Sequence, residues 1–409
     1  MPWQEYSPVD LRLRFVIDWH TGFWTMTELC ADYRISRKTG YKWVARHEDE
    51  GVGGLEDRSR RPQGSPIATD PELREALVTA RRRHPRWGAR KLLAVLRRAR
   101  PDADWPSRST ACALLKREGL IIARPARTVA AHLPGSPPAP ITRVNEVWTT
   151  DFKGEFRTGN RRYCYPLTLR DGRSRFVLRC DALLDRTYAA TRRRFERAFR
   201  EYGLPERMRS DNGGPFASPG LGRVSRLSVW WMRLGIVPER IAPGHPEQNG
   251  SHEQFHSVLK AHTARPPAPH ADAQQRRFAR FCAEYNHDRP HEALDDQPPA
   301  LWYEPSPRAY PTRLPPVEYA GHLEVRRVSS NGCIAWQGEP LFIATALAGE
   351  DVAFEEINDG LWTIRLGPVA LGRYDARQRV IHPVAGFTEG RSPAWPARAC
   401  SQDRDRKDQ

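Results

Sequence analysis

Three acidic residues lie where a carboxylate needs a specific partner. Asp151 falls in the apolar segment 147–152, Asp211 ends a short segment just before Asn212 and two glycines, and Glu253 lies in a segment predicted to be helical. Burying a carboxylate without a cation or a hydrogen-bond donor is unfavourable, and these segments offer few basic residues that could be buried beside the acids. The pattern therefore indicates a divalent metal site with hard oxygen ligands, which suits Mg²⁺ or Mn²⁺.

The chemistry of such a site is phosphoryl transfer. Two divalent ions roughly 3.5–4 Å apart activate an attacking oxygen and stabilise the leaving oxygen at phosphorus. The charge of the chain agrees with a polyanionic substrate, because 65 Lys and Arg residues outnumber 49 Asp and Glu residues and give a net charge of +16. Such an excess most often accompanies a nucleic-acid partner. We therefore expect Mg²⁺ or Mn²⁺, with two ions per site, and a nucleic-acid substrate.

The helix that carries Glu253 is predicted to begin at Asn249, a residue type well suited to cap a helix N-terminus. Glu253, His256 and Lys260 follow at helical spacing and so share one face. Taken alone, this face is more simply interpreted as exposed and mixed in charge. Together with the two upstream acids, it indicates a helix that holds a metal ion at one end and a polyanion along the rest.

A layer of strands and helices must position the three acids. Apolar segments predict a meander of three strands over 147–152, 163–169 and 175–180, with a turn signal at Asp171-Gly172. The segments that follow predict a helix, a strand, a helix and a strand, in that order, over 187–202, 206–210, 227–234 and 237–242. A meander followed by alternating elements is typical of a mixed α/β core.

The N-terminal region is predicted to be a helix-turn-helix, with helices over 8–20, 27–34 and 36–47. In the third helix Tyr41 and Val44 are expected to pack inward. The side chains expected to face a DNA major groove are Arg37, Lys38, Thr39, Lys42 and Arg46. A three-helix bundle without a DNA role is the alternative, and the basic exposed face favours DNA.

A second helical module is predicted over 71–121, with Arg108 and Lys116 on its exposed side. The basic segment 51–70 is either an arm that enters a minor groove or a plain solvated linker. Short strands with hairpin signals over 312–385 predict a small β-barrel. The predicted parts are 1–50, 51–70, 71–121, a Pro-rich linker over 122–142, the α/β core over 143–305, the barrel over 312–385 and a disordered tail over 386–409.

The seven cysteines are scattered and include no C-x-x-C pair, so we expect reduced thiols in a cytoplasmic protein. Neither a signal peptide nor an apolar run near the ~20 residues of a membrane span is recognisable. These patterns predict a chain with no membrane partner.

Asp151, the turn Asp211-Asn212-Gly213 and the segment His245-Pro-x-x-Asn249-Gly250-x-x-Glu253 resemble the DDE triad of bacterial insertion-sequence transposases with a retroviral-integrase-like catalytic core. The resemblance covers about residues 140–305 and implies an RNase H-like fold. It implies that Asp151 and Asp211 bridge both metals and that Glu253 completes one site. Asn212, His245, Asn249 and His256 are then expected to support the site, and Lys260 to contact DNA ends. The expected fold class is therefore multidomain: N-terminal all-α helix-turn-helix modules, a central α/β RNase H-like integrase core and a small β-barrel.

Two features depart from the patterns of relatives. The separation of Asp211 and Glu253, with 41 residues between them, is somewhat longer than is usual, and we expect the extra length in 219–231. The His/Cys zinc module found at the N-terminus of retroviral integrases is not recognisable, so zinc is not expected.

The resemblance implies a DNA transposase that binds terminal inverted repeats and catalyses metal-dependent DNA 3′-end cleavage and strand transfer into target DNA. Its partner is double-stranded DNA, it acts at least as a dimer on DNA because two ends must be joined, and it is expected to be nucleoid-associated. One alternative is a domesticated, non-enzymatic DNA-binding regulator, which predicts loss of an acid, whereas all three are present. The other is an RNase H-type nuclease acting on an RNA–DNA hybrid, since the fold is shared.

Overall fold

The computed structural model describes residues 6–58, 69–121, 140–152, 154–211, 213–218, 221–241, 250–383 and 395–396. The chain divides into two compact units, residues 1–70 and 71–409. Within the described ranges, every helix is too short or too polar to cross a membrane.

The first unit is a helix-turn-helix of three helices, α1 (Pro8–His20), α2 (Met26–Asp32) and α3 (Arg37–Glu50). Each begins at a side-chain cap, because the hydroxyls of Ser7, Thr25 and Ser36 each accept a hydrogen bond from a backbone N–H of the first turn. A Cβ at Gly40 would lie 2.6 Å from Sγ of Cys30, so only glycine lets α3 approach α2 this closely.

The inward face of α3 differs from the prediction at one position. Val44 is buried as expected, but Tyr41 is 55% exposed and Trp43 occupies the core instead. Gly40, Trp43 and Val44 follow the i, i+3, i+4 spacing of a buried helix face, and Tyr41 falls beside it.

The segment predicted as a linker begins with ordered structure. Gly51–Leu55 forms a 3-10 turn, and Leu55 is fully buried in the core of the first unit. Arg12 fixes this turn by donating from Nη1 to the Leu55 carbonyl over 2.6 Å. The physical reason is that Leu55 completes an apolar cluster that three short helices leave open. Residues 59–68 of the predicted linker lie outside the described residues.

The second unit opens with three helices, α4 (Pro71–Arg83), α5 (Ala89–Ala99) and α6 (Arg108–Arg117). They enclose an apolar cluster that includes Trp87 and Trp105. This module packs on the central region, because Arg90 Nε donates to Oδ2 of Asp296 over 3.0 Å and His84 Nδ1 lies 3.0 Å from Oε1 of Glu284. Most of the predicted Pro-rich linker, 122–139, is outside the described residues.

The central sheet contains β1 (Val147–Phe152), β2 (Phe156–Arg157), β3 (Tyr163–Asp171), β4 (Val177–Leu183), β5 (Arg207–Ser210) and β6 (Val237–Arg240). Its order is β4-β3-β1-β5-β6, and β2 also pairs with β3. The meander β1, β3 and β4 is antiparallel, whereas β5 runs parallel to both β1 and β6. A mixed α/β sheet is therefore present, as the sequence predicts.

Helices cover both faces of this sheet. On one face α7 (Tyr188–Tyr202) and α8 (Arg226–Arg233) share a core with Leu178 of β4. On the other, α9 (Gly250–Thr263) and α10 (Ala271–His287) share a core with its neighbour Val177. Successive strand residues point to opposite faces, which is why one strand serves both cores.

The C-terminal region contains β7 (Glu324–Arg327), β8 (Cys333–Trp336), β9 (Glu339–Phe342), β10 (Asp351–Asn358), β11 (Leu361–Leu366), β12 (Val369–Asp375), β13 (Val380–Pro383) and β14 (Trp395–Pro396). Six of these form one sheet in the order β14-β13-β12-β11-β10-β7, and β8 and β9 form a separate hairpin. Among the described strands no pairing joins β7 to β14, so this sheet is open and the predicted barrel is not shown. Except for β14, the predicted tail lies outside the described residues.

Part of the segment between Asp211 and Glu253 packs in the C-terminal core. Leu221, Val224 and Met232 belong to the same apolar cluster as Trp336 and Phe354. In the same region Cys333 is disulfide-bonded, so the expectation of reduced thiols is wrong for this residue.

Candidate functional site

Asp151 and Asp211 lie at the same level of two neighbouring strands. In the parallel pairing of β1 with β5, the last registered pair is Thr149 with Arg209, and each acid lies two residues further along its own segment. Parallel neighbours are about 4.8 Å apart, so residues at equal register lie side by side. The topology thus brings the first two predicted acids to one edge of the sheet, at the carboxyl ends of β1 and β5.

One carboxylate oxygen of Asp211 has an environment that suits a bound cation. Its Oδ1 is buried and has no hydrogen-bond partner among the described residues. Burial raises the pKa of Asp211, against a backbone hydrogen bond from Gly213 and the charges of Arg240 and Arg186. A desolvated carboxylate with an unsatisfied oxygen fits a hard divalent ion, which would supply the missing partner and favour the ionised form.

Asp151 is held from helix α9 and from strand β3. Nδ1 of His256 lies 3.4 Å from Oδ2 of Asp151. Across the sheet Asp151 pairs with Thr168, whose Oγ1 lies 3.0 Å from the Asp151 carbonyl oxygen. The Asp151 side chain is 20% exposed, so the site that holds it is not sealed from solvent.

A buried row of hydroxyl and imidazole groups lies behind this aspartate. His252 is 1% exposed; its Nδ1 lies 2.9 Å from Oγ1 of Thr149 and its Nε2 2.7 Å from Oγ1 of Thr168. Nε2 of His256 lies 2.7 Å from the same Thr168 oxygen. Burial, then the charges of His256 and Arg170, lower the pKa of His252 well below its ordinary value. His252 is therefore a neutral imidazole.

The Asp151 carboxylate sets the direction of hydrogen bonding along this row. His256 presents its Nδ1–H to the carboxylate, because the opposite tautomer would point a lone pair at negative charge. The Thr168 hydroxyl has one proton and three neighbouring acceptors or imidazole nitrogens, namely the Asp151 carbonyl and Nε2 of both histidines. It therefore accepts a hydrogen bond from at least one of the two imidazoles, and the row ends on Asp151.

Glu253 lies on α9 three residues before His256 and is exposed. Lys260 is also exposed, whereas His256 is buried, so the expectation that the three share one exposed face is wrong for His256. Its imidazole is drawn into the sheet by Asp151 and Thr168. In the part of the chain that the structure describes, no three His, Cys, Asp or Glu side chains are close enough to hold a metal ion. Glu253 is therefore not assembled with the two aspartates, and its role stays a prediction.

Three of the predicted supporting residues, Asn212, His245 and Asn249, lie outside the described residues. His252, Thr168 and Arg170 were not predicted from the sequence. Arg170 is 1% exposed, donates from Nη1 to the Ser251 carbonyl over 2.8 Å and fixes the first turn of α9. The i, i+4 spacing of the two histidines on α9 was the available signal, since it places both rings on one helix face.

Most of the residues predicted to contact DNA have exposed side chains. In α3 Arg37, Lys38 and Lys42 are exposed, whereas Thr39 and Arg46 are half-buried. Nζ of Lys42 lies 4.1 Å from the ring centre of Trp43, which positions this cation on the α3 surface. In the second unit Arg108 and Lys116 are exposed on α6.

Family models match most of the described elements. Two models for an integrase core domain match residues 141–246 and 234–299. The central domain is an integrase core. A helix-turn-helix domain model matches residues 11–63, and a homeodomain-like domain model matches residues 39–115. The N-terminal helical region is thus a helix-turn-helix region that precedes the integrase core.

An uncharacterized 31.7 kDa protein of insertion element IS407 from Burkholderia multivorans is 31% identical over 188 residues, which are 44% of this chain. The chain spans 59% of the length of that relative. With the domain matches, this confirms the resemblance to insertion-sequence transposases with an integrase-like core.

Two solved structures represent the structural neighbours. The HTLV-2 integrase catalytic core domain in complex with magnesium has 14% identity and a TM-score of 0.32, covering 40% of this chain and 98% of that chain. A chain of the simian T-cell lymphotropic virus intasome in complex with PP2A regulatory subunit B56 gamma has 14% identity and a TM-score of 0.35, covering 72% of this chain and 97% of that chain.

Proposed function

We propose that this chain is a DNA transposase. In this proposal, the helix-turn-helix region binds terminal inverted repeats, and the integrase core catalyses DNA 3′-end cleavage and strand transfer. The observation that carries the proposal is that Asp151 and Asp211 each follow the last registered pair of two adjacent parallel strands by two residues, in a region that matches an integrase core. Oδ1 of Asp211 supports it, because this oxygen is buried and has no hydrogen-bond partner among the described residues, whereas a buried carboxylate with a purely structural role would have a donor.

Asp151, Asp211 and Glu253 would hold Mg²⁺ or Mn²⁺, with two ions per site. The metal supplies Lewis-acid activation of the attacking oxygen and stabilisation of the leaving oxygen. The chain contributes orientation: the row from Thr149 to His256 holds the Asp151 carboxylate in place. Magnesium in the HTLV-2 integrase catalytic core supports this choice of ion.

Two displacements at phosphorus make up the proposed reaction. In the first, water attacks the phosphodiester at the end of the element, and the bond to the 3′ oxygen breaks to leave a free 3′-hydroxyl. In the second, that hydroxyl attacks a phosphodiester of target DNA and the target 3′ oxygen leaves. The number of phosphodiester bonds is unchanged in the second step, so strand transfer needs no high-energy cofactor.

DNA recognition is assigned to the two helical modules. The contacts are proposed for Arg37, Lys38, Thr39, Lys42 and Arg46 in the first, Arg108 and Lys116 in the second, and Lys260 at the DNA end. Asn212, His245 and Asn249 are proposed to support the active-site loop. The chain would act at least as a dimer, associated with the nucleoid, and closure of the C-terminal sheet into a barrel would complete the predicted domain organisation.

The test is a cleavage assay with labelled duplexes taken from the DNA that flanks the gene, in Mg²⁺ or Mn²⁺, with EDTA as the negative control. The proposal expects 3′-end nicking at an imperfect inverted repeat and joining of that end to a second duplex. Cleavage of an RNA–DNA hybrid without nicking of the repeat would favour an RNase H-type nuclease. Repeat binding without any cleavage by the wild-type chain would favour a regulator.

A further inference from the structure

A basic cavity of about 370 Å³ lies between the second helical module and the integrase core. Its cations come from three separate elements: Lys91 from α5, Arg175 from the β3–β4 turn and Arg289 from the segment after α10. Gln254, the residue that follows Glu253 on α9, also lines it. The cavity therefore borders the helix that carries the third proposed acid.

The positive charge of this cavity is poorly balanced within the protein. The guanidinium of Arg289 is half-buried, lies 5.7 Å from the ring centre of Tyr285 and makes no hydrogen bond to the described residues. Arg175 has a long contact of 3.4 Å from Nη1 to the Ser251 hydroxyl. Glu292 lines the cavity, but its carboxylate pairs with Arg90, as that of Asp296 does. Glu284 acts on Arg289 by its charge alone.

The surroundings of His291 show where the positive potential is concentrated. This side chain is buried, lines the cavity and has no partner for Nε2 among the described residues. Burial, followed by the charges of Lys91, Arg289, Arg170 and Arg175, lowers its pKa to about 3. Four cations therefore act on one buried point, so the cavity is electrostatically suited to an anion.

We infer that this cavity binds a phosphate of the DNA backbone. The guanidinium forks of Arg175 and Arg289 match the oxygens of a phosphate, and the Lys91 ammonium adds a point charge. Lys91 belongs to the second helical module and Arg289 to the integrase core. One bound phosphate would therefore contact both parts of the protein at the same point of the DNA. The inference rests on the proposed function in taking DNA as the source of the phosphate.

The test measures the affinity of the full-length chain for a fluorescein-labelled duplex of arbitrary sequence across a series of salt concentrations. Variants are K91Q, R289Q and the double variant. The matched control is R197Q, an exposed arginine on α7 at the opposite face of the central sheet. Each contacted phosphate contributes about 0.9 to the slope of log K against log salt.

If both cations hold one phosphate, the slope of log K against log salt should fall by about 0.9 in the double variant. This change corresponds to the loss of a single phosphate contact and should come with a severalfold loss of affinity. The control should keep its slope or lose it independently of the pocket variants. Unchanged slope and affinity in the double variant would overturn the inference. Thermal melting of each variant without DNA establishes that the fold is retained.

A second arm separates DNA phosphate from free phosphate. Inorganic phosphate is compared with chloride at equal ionic strength for its effect on the melting temperature of the wild type and the double variant. Stabilisation that is lost in the double variant while DNA binding is unchanged would assign the cavity to a free anion and overturn the DNA inference. Failure of the proposed function looks different, because duplex binding would persist without cleavage at any repeat.

Discussion

Asp151 near the end of β1 and Asp211 just after β5 each lie two residues beyond the last registered pair of these parallel strands. Their surroundings differ: Asp151 is held by His256, whereas Asp211 has a buried oxygen without a described partner. One carboxylate is thus oriented by the protein, and for the other we propose a cation as the missing partner. This difference makes the contributions of the two acids separable by experiment.

The first prediction concerns the acids. Asp151→Asn, Asp211→Asn and Glu253→Gln should each reduce strand cleavage roughly a thousand-fold, because several kcal/mol of metal-mediated stabilisation are lost. Binding to the inverted repeat, measured by gel shift, should stay near that of the wild type. Near-normal strand transfer in Mg²⁺ by any of the three variants would remove that residue from the proposed triad.

Thr168 is predicted to be the critical hydroxyl of the buried row. Thr168→Val keeps the shape but leaves two imidazole nitrogens unsatisfied, and each such group costs about 1–3 kcal/mol. Urea unfolding should show this loss, and cleavage should fall because Asp151 is less firmly held. Thr168→Ser should restore both. The matched control is Thr191→Val, since the buried hydroxyl of Thr191 has no partner among the described residues and its removal should be neutral or stabilising.

The exposed cations of α3 are predicted to carry end recognition. Arg37→Ala or Lys42→Ala should weaken binding to the inverted repeat and lower the salt dependence by about one phosphate contact if the lost contact is to the backbone. Gel shifts at several salt concentrations measure both quantities. Unchanged affinity in both variants would move recognition to the second module, where Arg108 and Lys116 are the next residues to replace.

Lys91 predicts a dependence of stability on alkaline pH. Burial, then the charge of Arg289, lowers its pKa from 10.5 to about 8, against Asp296 and Glu292. The unfolded chain therefore binds this proton more tightly, and the free energy of unfolding should fall as the pH drops from 10.5 to about 8. The size is on the order of 2 kcal/mol after allowance for partial exposure.

The measurement is the difference between the wild type and Lys91→Met in urea unfolding at both ends of that window, since other groups titrate equally in the two proteins. Lys116→Met, at an exposed lysine, is the control and should follow the wild type. A wild-type pH dependence in Lys91→Met would show that the Lys91 ammonium is well solvated in the folded protein.

Local signals in the sequence were sufficient for many elements. Helix α1 was predicted over the residues it occupies, because apolar spacing and its N-terminal residues agree. Tyr41 was misplaced because one helical step separates it from the buried face that Trp43 occupies. In the sequence, Leu55 resembles part of a linker because glycines surround it. Only the folded structure shows that the core of the three helices has a gap that the Leu55 side chain fills.

The candidate site was predictable in its acids but not in its support. The order and local setting of Asp151 and Asp211 are sequence features, whereas their equal register depends on which strands pair. Thr168 contacts two histidines more than eighty residues away in the sequence. An isolated threonine in an apolar strand gives no local sequence signal of such contacts. Long-range pairing of this kind is set by tertiary structure.

The segment between Asp211 and α9 has a consequence for the cooperativity of the protein. Helix α8 presents Trp230 and Trp231 to the integrase core and Val229 and Met232 to the C-terminal sheet. Arg233 strengthens this junction, because its Nη2 donates to the Pro315 carbonyl over 2.9 Å. Shortening the chain after the integrase core would uncover apolar surface on the same peptide that links the second and third acids. The C-terminal sheet thus covers apolar surface of the integrase core. The sheet and the core should therefore unfold in a single thermal transition.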